Sequence, residues 1–334
     1  MDTAKLREIM DRLAVNDDFS GVVSVRVGDE IVFEAAYGLA DREHHRLNTP
    51  TTRFGIASGS KGFTALTVMG LVEDRRLDLS TTARSLLGTD LPLVDSTVTV
   101  EHLLAHRSGI GDYLDETVLD DVEVWPFELT PDALINTSDY LPLLDGRAQT
   151  FAPGTEFAYC NGGYVLLASL CERVTDTPFI ELVQRHVFEP AELHSTAFLD
   201  LLHLPNDAAL GYLADGRPNR ANLPRRGSGD GGCVSTVADL AQFWRAFFDG
   251  SIVGNDSAQT MTAARSDVPS EGARYGLGFW LDPTNGSVSL EGFDAGVSFR
   301  STHDPARGLT ATVISNSTRG AWPMLRALYP LLTP

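Results

Sequence analysis

Residues 52–79 read TRFGIASGSKGFTALTVMGLVEDRRLDL, and the rest of the chain is best understood outward from them. A short strand-like run, Phe54-Gly55-Ile56, leads into a segment in which Phe63, Leu66, Met69 and Leu71 supply an apolar face, so a helix opening at Ser58 is predicted. Ser58 and Lys61 stand three residues apart at that start, which points both side chains to the same side of the first turn. A serine hydroxyl is a poor nucleophile until a neighbour takes its proton. A lysine can do so only when burial and neighbours draw its pKa from ~10.4 toward ~7–8. The positive end of a helix acts in that direction, and it also aims the Ser58 N–H at a developing oxyanion. Ser-x-x-Lys alone is a common pattern, and a surface helix start capped by Ser58 competes with this reading.

Composition sharpens it. Nearly all positive charge in the 334 residues is Arg, and Lys occurs only at Lys5 and Lys61. Lys5 falls in an amphipathic opening helix that carries Leu6, Ile9, Met10 and Leu13 on one stripe. Lys61 falls in an apolar, glycine-containing stretch, where the relevant difference from Arg is that Lys can lose its proton. Further out, VVSVRV and IVFEAAYG around Gly28-Asp29 form a predicted hairpin, and residues 75–230 alternate helical patterns with loops. Thr236 followed by Asp239 resembles a capping box opening the helix ADLAQFWRAFF. YGLGFWL, GSVSLEG, GVSFRS and GLTATVISN are strand-like, and a helix near 320–331 closes the chain. The expected fold is α+β: an antiparallel sheet domain from 1–74 and 231–334, an inserted mainly helical domain at 75–230, and the active site between them.

The segment 52–79 resembles the nucleophile helix of class C β-lactamases, the related DD-peptidases and the esterases that share their fold. HLLAHRSGI at 102–110 and APGTEFAYCNGGYVLLASLCERVTDTPF at 152–179 continue the likeness in order, as do VFEPAELHSTAF, GGCVSTVADLAQF and YGLGFWL. The resemblance to this serine β-lactamase and penicillin-binding-protein superfamily spans roughly residues 18 to 318. It implies that Tyr159 exchanges protons with nucleophile and leaving group, with Lys61 as the cation that brings its hydroxyl into range. It also implies that Asn161 hydrogen-bonds Lys61 and the substrate amide. Cys160 between them is read as a buried neutral thiol, and His106 as a residue that orders its loop.

The third family motif departs from the pattern. Where Lys-Thr-Gly or His-x-Gly is expected, the chain has Leu290-Glu291-Gly292. Gly292 still permits close backbone approach, and the Phe293 N–H can serve as the second oxyanion donor. The cation that helps hold a substrate carboxylate in β-lactamases and DD-peptidases is missing, with Arg300 or His303 as conceivable stand-ins from a neighbouring strand.

The remaining signals bound the function. A net charge of −19 argues against nucleic acid or an anionic membrane as partner and leaves a small molecule. No signal-peptide pattern and no run of ~20 apolar residues appears, so a soluble, cytoplasmic chain is expected. Cys160, Cys171 and Cys233 suggest neither a disulfide framework nor a zinc site and are read as small core residues. His44-His45 lacks the helical spacing of a zinc pair, so neither metal nor cofactor is implied. Gly227-x-Gly229-x-x-Gly232 formally fits a dinucleotide fingerprint, but no strand precedes it, and a flexible loop is expected. The expected activity is hydrolysis, or acyl transfer, through a Ser58 acyl-enzyme on small esters or amides. The alternatives are a D-amino-acid peptidase or amidase, in which Glu291 or Asp294 receives an amine, a β-lactamase, and, of another class, a penicillin-binding sensor without turnover or a degenerate binding protein.

Overall fold

The computed structural model describes residues 3–119 and 121–332. Its centre is an eight-stranded antiparallel sheet. The strands are β1 (Gly21–Val27), β2 (Glu30–Tyr37), β3 (Ser266–Val268), β4 (Ala273–Tyr275), β5 (Trp280–Leu281), β6 (Val288–Asp294), β7 (Val297–Asp304) and β8 (Leu309–Ser315), in the order β2-β1-β8-β7-β6-β5-β4-β3. The two ends of the chain therefore meet in mid-sheet, where Val23 of β1 pairs with Val313 of β8. Every residue of β8 is buried because both faces of the sheet are covered. Alternation decides which side chain goes where. Leu309, Ala311 and Val313 face α1 (Thr3–Asn16) and the C-terminal helix, through Leu6, Met10, Met324 and Leu328, while Ile314 joins the larger core on the opposite face.

That larger core is built on α2 (Lys61–Glu73), in which every residue from Lys61 to Leu71 is buried. A helix apolar all round has to sit in the middle of a protein. It packs between the sheet and α3 (Asn161–Thr175), with α4 (Val237–Phe248) contributing Phe243, Trp244 and Phe247. The expected hairpin, opening helix and closing helix are all present, and Cys160, Cys171 and Cys233 are buried free thiols. The capping box is present only by half: the Thr236 hydroxyl accepts the Asp239 N–H at 3.1 Å, but the Asp239 carboxylate receives Ser195 N–H and Thr196 Oγ1 instead of turning back. Among the described residues, no helix is long and apolar enough to cross a membrane.

Candidate active site

The turn before α2 differs from the expected helix start. Residues Ala57–Ser60 form a 3₁₀ turn, with the α-helix beginning at Lys61, and Ala57 has a φ of 43°. A left-handed alanine stores strain and persists only where its surroundings fix it. Here Ile56 N–H donates to Cys233 O at 3.0 Å. Ser60 Oγ donates to Ala57 O at 2.8 Å and accepts the Cys233 N–H at 3.1 Å. Across the turn lies β6, where a Cβ on Gly292 would stand 2.0 Å from Ile56 O, so only glycine allows the strand to come this close. The effect is to lift Ser58, half-buried, out of the core beside the Gly292-Phe293 backbone.

Lys61 is 2% exposed. Its Nζ donates to Ser58 Oγ at 2.8 Å, to Asn161 Oδ1 at 2.7 Å and to the Asp230 carbonyl at 2.7 Å. Burial pulls its pKa down from the ordinary lysine value, against the opposing pull of Asp230, Glu116 and Asp112. Tyr159 shares a hydrogen bond with Ser58, and its ring lies under the amine, 4.9 Å from Nζ to the centroid, and stacks on Trp280. The expected lowering of the Tyr159 pKa by Lys61 is not what the surroundings produce. Burial, with the nearby Glu116 and Tyr275, pushes the phenol well up, against the opposing hydrogen bond with Ser58. His106 is buried among Tyr159, Tyr164 and Tyr275. Its Nδ1 accepts the Cys160 N–H at 3.0 Å, and burial holds it neutral, so it does order its loop.

Ser58, Lys61, Tyr159, Asn161, Gly292 and Phe293 are thus brought together. The stand-ins for the missing cation are not. Leu290 is buried against α2, its Cδ2 2.5 Å from where a Cβ on Gly62 would stand. His303 stacks on Trp244 and Phe248, away from Ser58. Arg300 is ion-paired with Glu291, which also removes Glu291 as a free receiver of an amine. Residues 227–232 do not form a flexible loop either: Ser228, Gly229 and Asp230 are buried, and Thr64 Oγ1 donates to Gly229 O at 2.6 Å. A Cβ at Gly229 would stand 2.1 Å from Tyr164 O, so the glycines serve close packing that delivers the Asp230 carbonyl to Lys61.

Two cavities open on Ser58. One, of about 110 Å³, is partly enclosed and mainly apolar, walled by Leu114, Leu119, Val122, Trp125, Phe127 and Leu223, with Glu116, Asp230 and Asp294 also on its lining. The other, of about 800 Å³, is an open groove past Tyr159 and Trp280, bordered by Asp115, Glu116, Glu156 and Glu271 and by Arg319. Sequence reasoning did not single out Asp112, Tyr113, Glu116, Asp230 or Arg319. Asp230 carried a faint signal, as the one acidic residue inside the glycine-rich stretch 227–232. Among the described residues, no group of three or more His, Cys, Asp or Glu is placed to hold a metal ion.

Comparison with known proteins identifies the fold and the family. The structure of a penicillin-binding protein from Bacillus halodurans superposes with a TM-score of 0.89 at 32% identity, covering 96% of this chain and 99% of that one. An octameric penicillin-binding protein homologue from Pyrococcus abyssi superposes with a TM-score of 0.86 at 27% identity, covering 99% of this chain and 78% of that one. A D-aminopeptidase of Brucella anthropi is 28% identical over 272 residues, 80% of this chain but only 49% of the relative, so the chain spans about half the length of that relative. The Beta-lactamase family model matches residues 6–330, which takes in both the Ser58 turn and the Gly292 strand facing it, and the chain belongs to the Beta-lactamase family.

Proposed function

We propose that the chain hydrolyses small esters or amides of apolar acyl groups through an acyl-enzyme on Ser58. The observation that carries this reading is the buried Lys61 amine bonded to Ser58 Oγ beside a partly enclosed, mainly apolar cavity. Ser58 Oγ attacks the substrate carbonyl carbon while its proton passes to the neutral Lys61 amine. The carbonyl oxygen, now an anion, is received by the N–H groups of Ser58 and Phe293. Tyr159, kept a phenol by burial, gives its proton to the leaving oxygen or nitrogen as the bond to carbon breaks, and the Lys61 ammonium restores it. Water then attacks the acyl carbon, its proton returns through the same pair, and Ser58 is released. With p-nitrophenyl esters of increasing chain length, kcat/KM is expected to rise until that cavity is filled and then fall. No turnover of any member of the series would contradict the proposal.

A second reading is favoured by one residue. The Asp294 carboxyl lines the mainly apolar cavity together with Glu116 and Asp230, accepts the Ala295 N–H at 2.8 Å, and is raised to about 7 by burial. An acyl group bearing an ammonium would find a counter-charge there, as a D-amino-acid amide would, and the 28%-identical relative named a D-aminopeptidase supports that chemistry. The comparison of a D-amino-acid amide with its N-acetylated form separates the two readings. Preference for the free amine, lost in Asp294→Asn, supports the second, and indifference supports the first.

A further inference from the structure

We infer that Asp112 and Tyr113 are positioning residues that together brace the two acceptors holding Lys61 against Ser58. The inference rests on the proposed role of Lys61. Asp112 Oδ2 accepts the Asn161 N–H at 2.7 Å, and its Oδ1 accepts the Gly162 N–H at 2.7 Å and the Leu114 N–H at 3.2 Å. One carboxylate thus takes the first N–H groups of α3, the donors a helix start leaves free. In doing so it fixes the backbone from which Asn161 Oδ1 reaches Lys61. The next residue acts on the other acceptor: the Tyr113 hydroxyl, buried, donates to the buried Asp230 carboxylate, whose own backbone carbonyl accepts Lys61 Nζ. The same segment also holds the Asn161 side chain, where Nδ2 donates to Leu114 O at 2.9 Å and to Glu116 at 3.0 Å. Its own backbone is anchored by Arg147, which donates to Asp112 O at 2.7 Å.

Lys61 has three side-chain bonds, and two of their acceptors are thereby set by adjacent residues that touch neither the nucleophile nor the amine. A base placed loosely loses both its alignment with Oγ and its tuned proton affinity, so the brace should be read out in kcat and in the pH profile, not in KM. The groups facing Lys61 are Asp230, Glu116, Asp112 and Cys160, with Asp294, His106 and the Tyr159 and Tyr164 rings. The Asp112 carboxylate favours the ammonium, so its neutralisation moves the rise of activity with pH to lower pH.

The test is steady-state hydrolysis of a p-nitrophenyl ester by the full chain, with active sites counted by acylation, for Asp112→Asn, Tyr113→Phe, Lys61→Ala and Ser58→Ala. Tyr113→Phe keeps the ring that packs on Phe127 and Tyr140 and removes only the hydroxyl, which guards against a merely unfolded Asp112 variant. The expected result is a loss of about tenfold or more in kcat per active site in both brace variants, with KM little changed. Asp112→Asn should in addition shift its acid limb to lower pH. Wild-type kcat per site and an unmoved profile in both brace variants, while Lys61→Ala and Ser58→Ala are inactive, would overturn the brace alone. Full activity of Lys61→Ala or Ser58→Ala would overturn the functional reading beneath it.

Discussion

The turn at 56–61 and the strand at 288–294 face each other across the Ser58 cleft, and they have been held to different standards. In the turn the polar side chains are all engaged. Ser60 ties down the strained Ala57 and Lys61 finds three acceptors, while Thr64, in the first turn of the helix that follows, pins the glycine loop. In the strand only the backbone is preserved. Gly292 lies against Ile56, while Leu290, where the motif resemblance expects a cation, is buried against α2. On the proposed function, activation of the nucleophile and recognition of a substrate carboxylate are separable parts of this fold. The first depends on side chains that must converge within hydrogen-bond distance. The second can be lost, leaving a backbone amide in place.

The comparison breaks most sharply at Lys61. If its role is to accept a proton, Lys61→Arg should be nearly as damaging as Lys61→Ala, because Arg keeps the charge but does not act as a base at ordinary pH. The expected loss in kcat is roughly 10²–10⁴-fold for both, measured on a p-nitrophenyl ester. Retention of most of kcat by the Arg variant would mean that charge alone is the function. For the same reason activity should rise with pH through a group titrating below the ordinary lysine value, since burial lowers the Lys61 pKa and its neutral form is the active one.

On the strand side, restoring the family cation with Leu290→Lys should fail as a simple exchange. Leu290 is 2% exposed and packed on α2 at Gly62, so the new ammonium would be buried without a counter-charge. A stability loss of roughly 3–5 kcal/mol is expected from denaturant unfolding. An unchanged midpoint, with new preference for anionic substrates, would show that the strand can turn this side chain into the cleft. The smallest effect concerns the wild type. Loss of a charge-assisted hydrogen bond to a substrate carboxylate is worth ~1.5–3 kcal/mol, so kcat/KM for a cephalosporin should fall roughly ten- to hundredfold behind a short neutral ester. An enzyme efficient on the cephalosporin would point to Arg319, the cation bordering the open groove, as the carboxylate's partner.

Local patterns carried much of this in advance. The hairpin at 21–37, the helix after Lys61 and the closing helix follow from apolar periodicity, and ordered motifs lead to Ser58, Lys61, Tyr159 and Asn161, which the fold gathers from the turn before α2, the start of α2 and the residues leading into α3. What stayed hidden depends on the third dimension. Nothing local distinguishes Asp112 from any other loop aspartate, because its meaning comes from the N–H groups of a helix that begins at residue 161. The stretch 227–232 looks mobile by composition, yet Gly229 lets Tyr164 come close, Gly227 and Gly232 fold against each other, and Thr64 bonds the Gly229 carbonyl. Arg300 offered itself as a replacement cation from a neighbouring strand, and its pairing with Glu291 across β6 and β7 becomes visible only with the register.

The proposed function stands on covalent chemistry at one oxygen, and intact-protein mass spectrometry during turnover of a p-nitrophenyl ester measures it directly. The expected result is an adduct of the acyl mass, localised by peptide mapping to Ser58, in the wild type and its absence in Ser58→Ala together with loss of turnover. Hydrolysis by Ser58→Ala at the wild-type rate, or an adduct mapped to another residue, would contradict it.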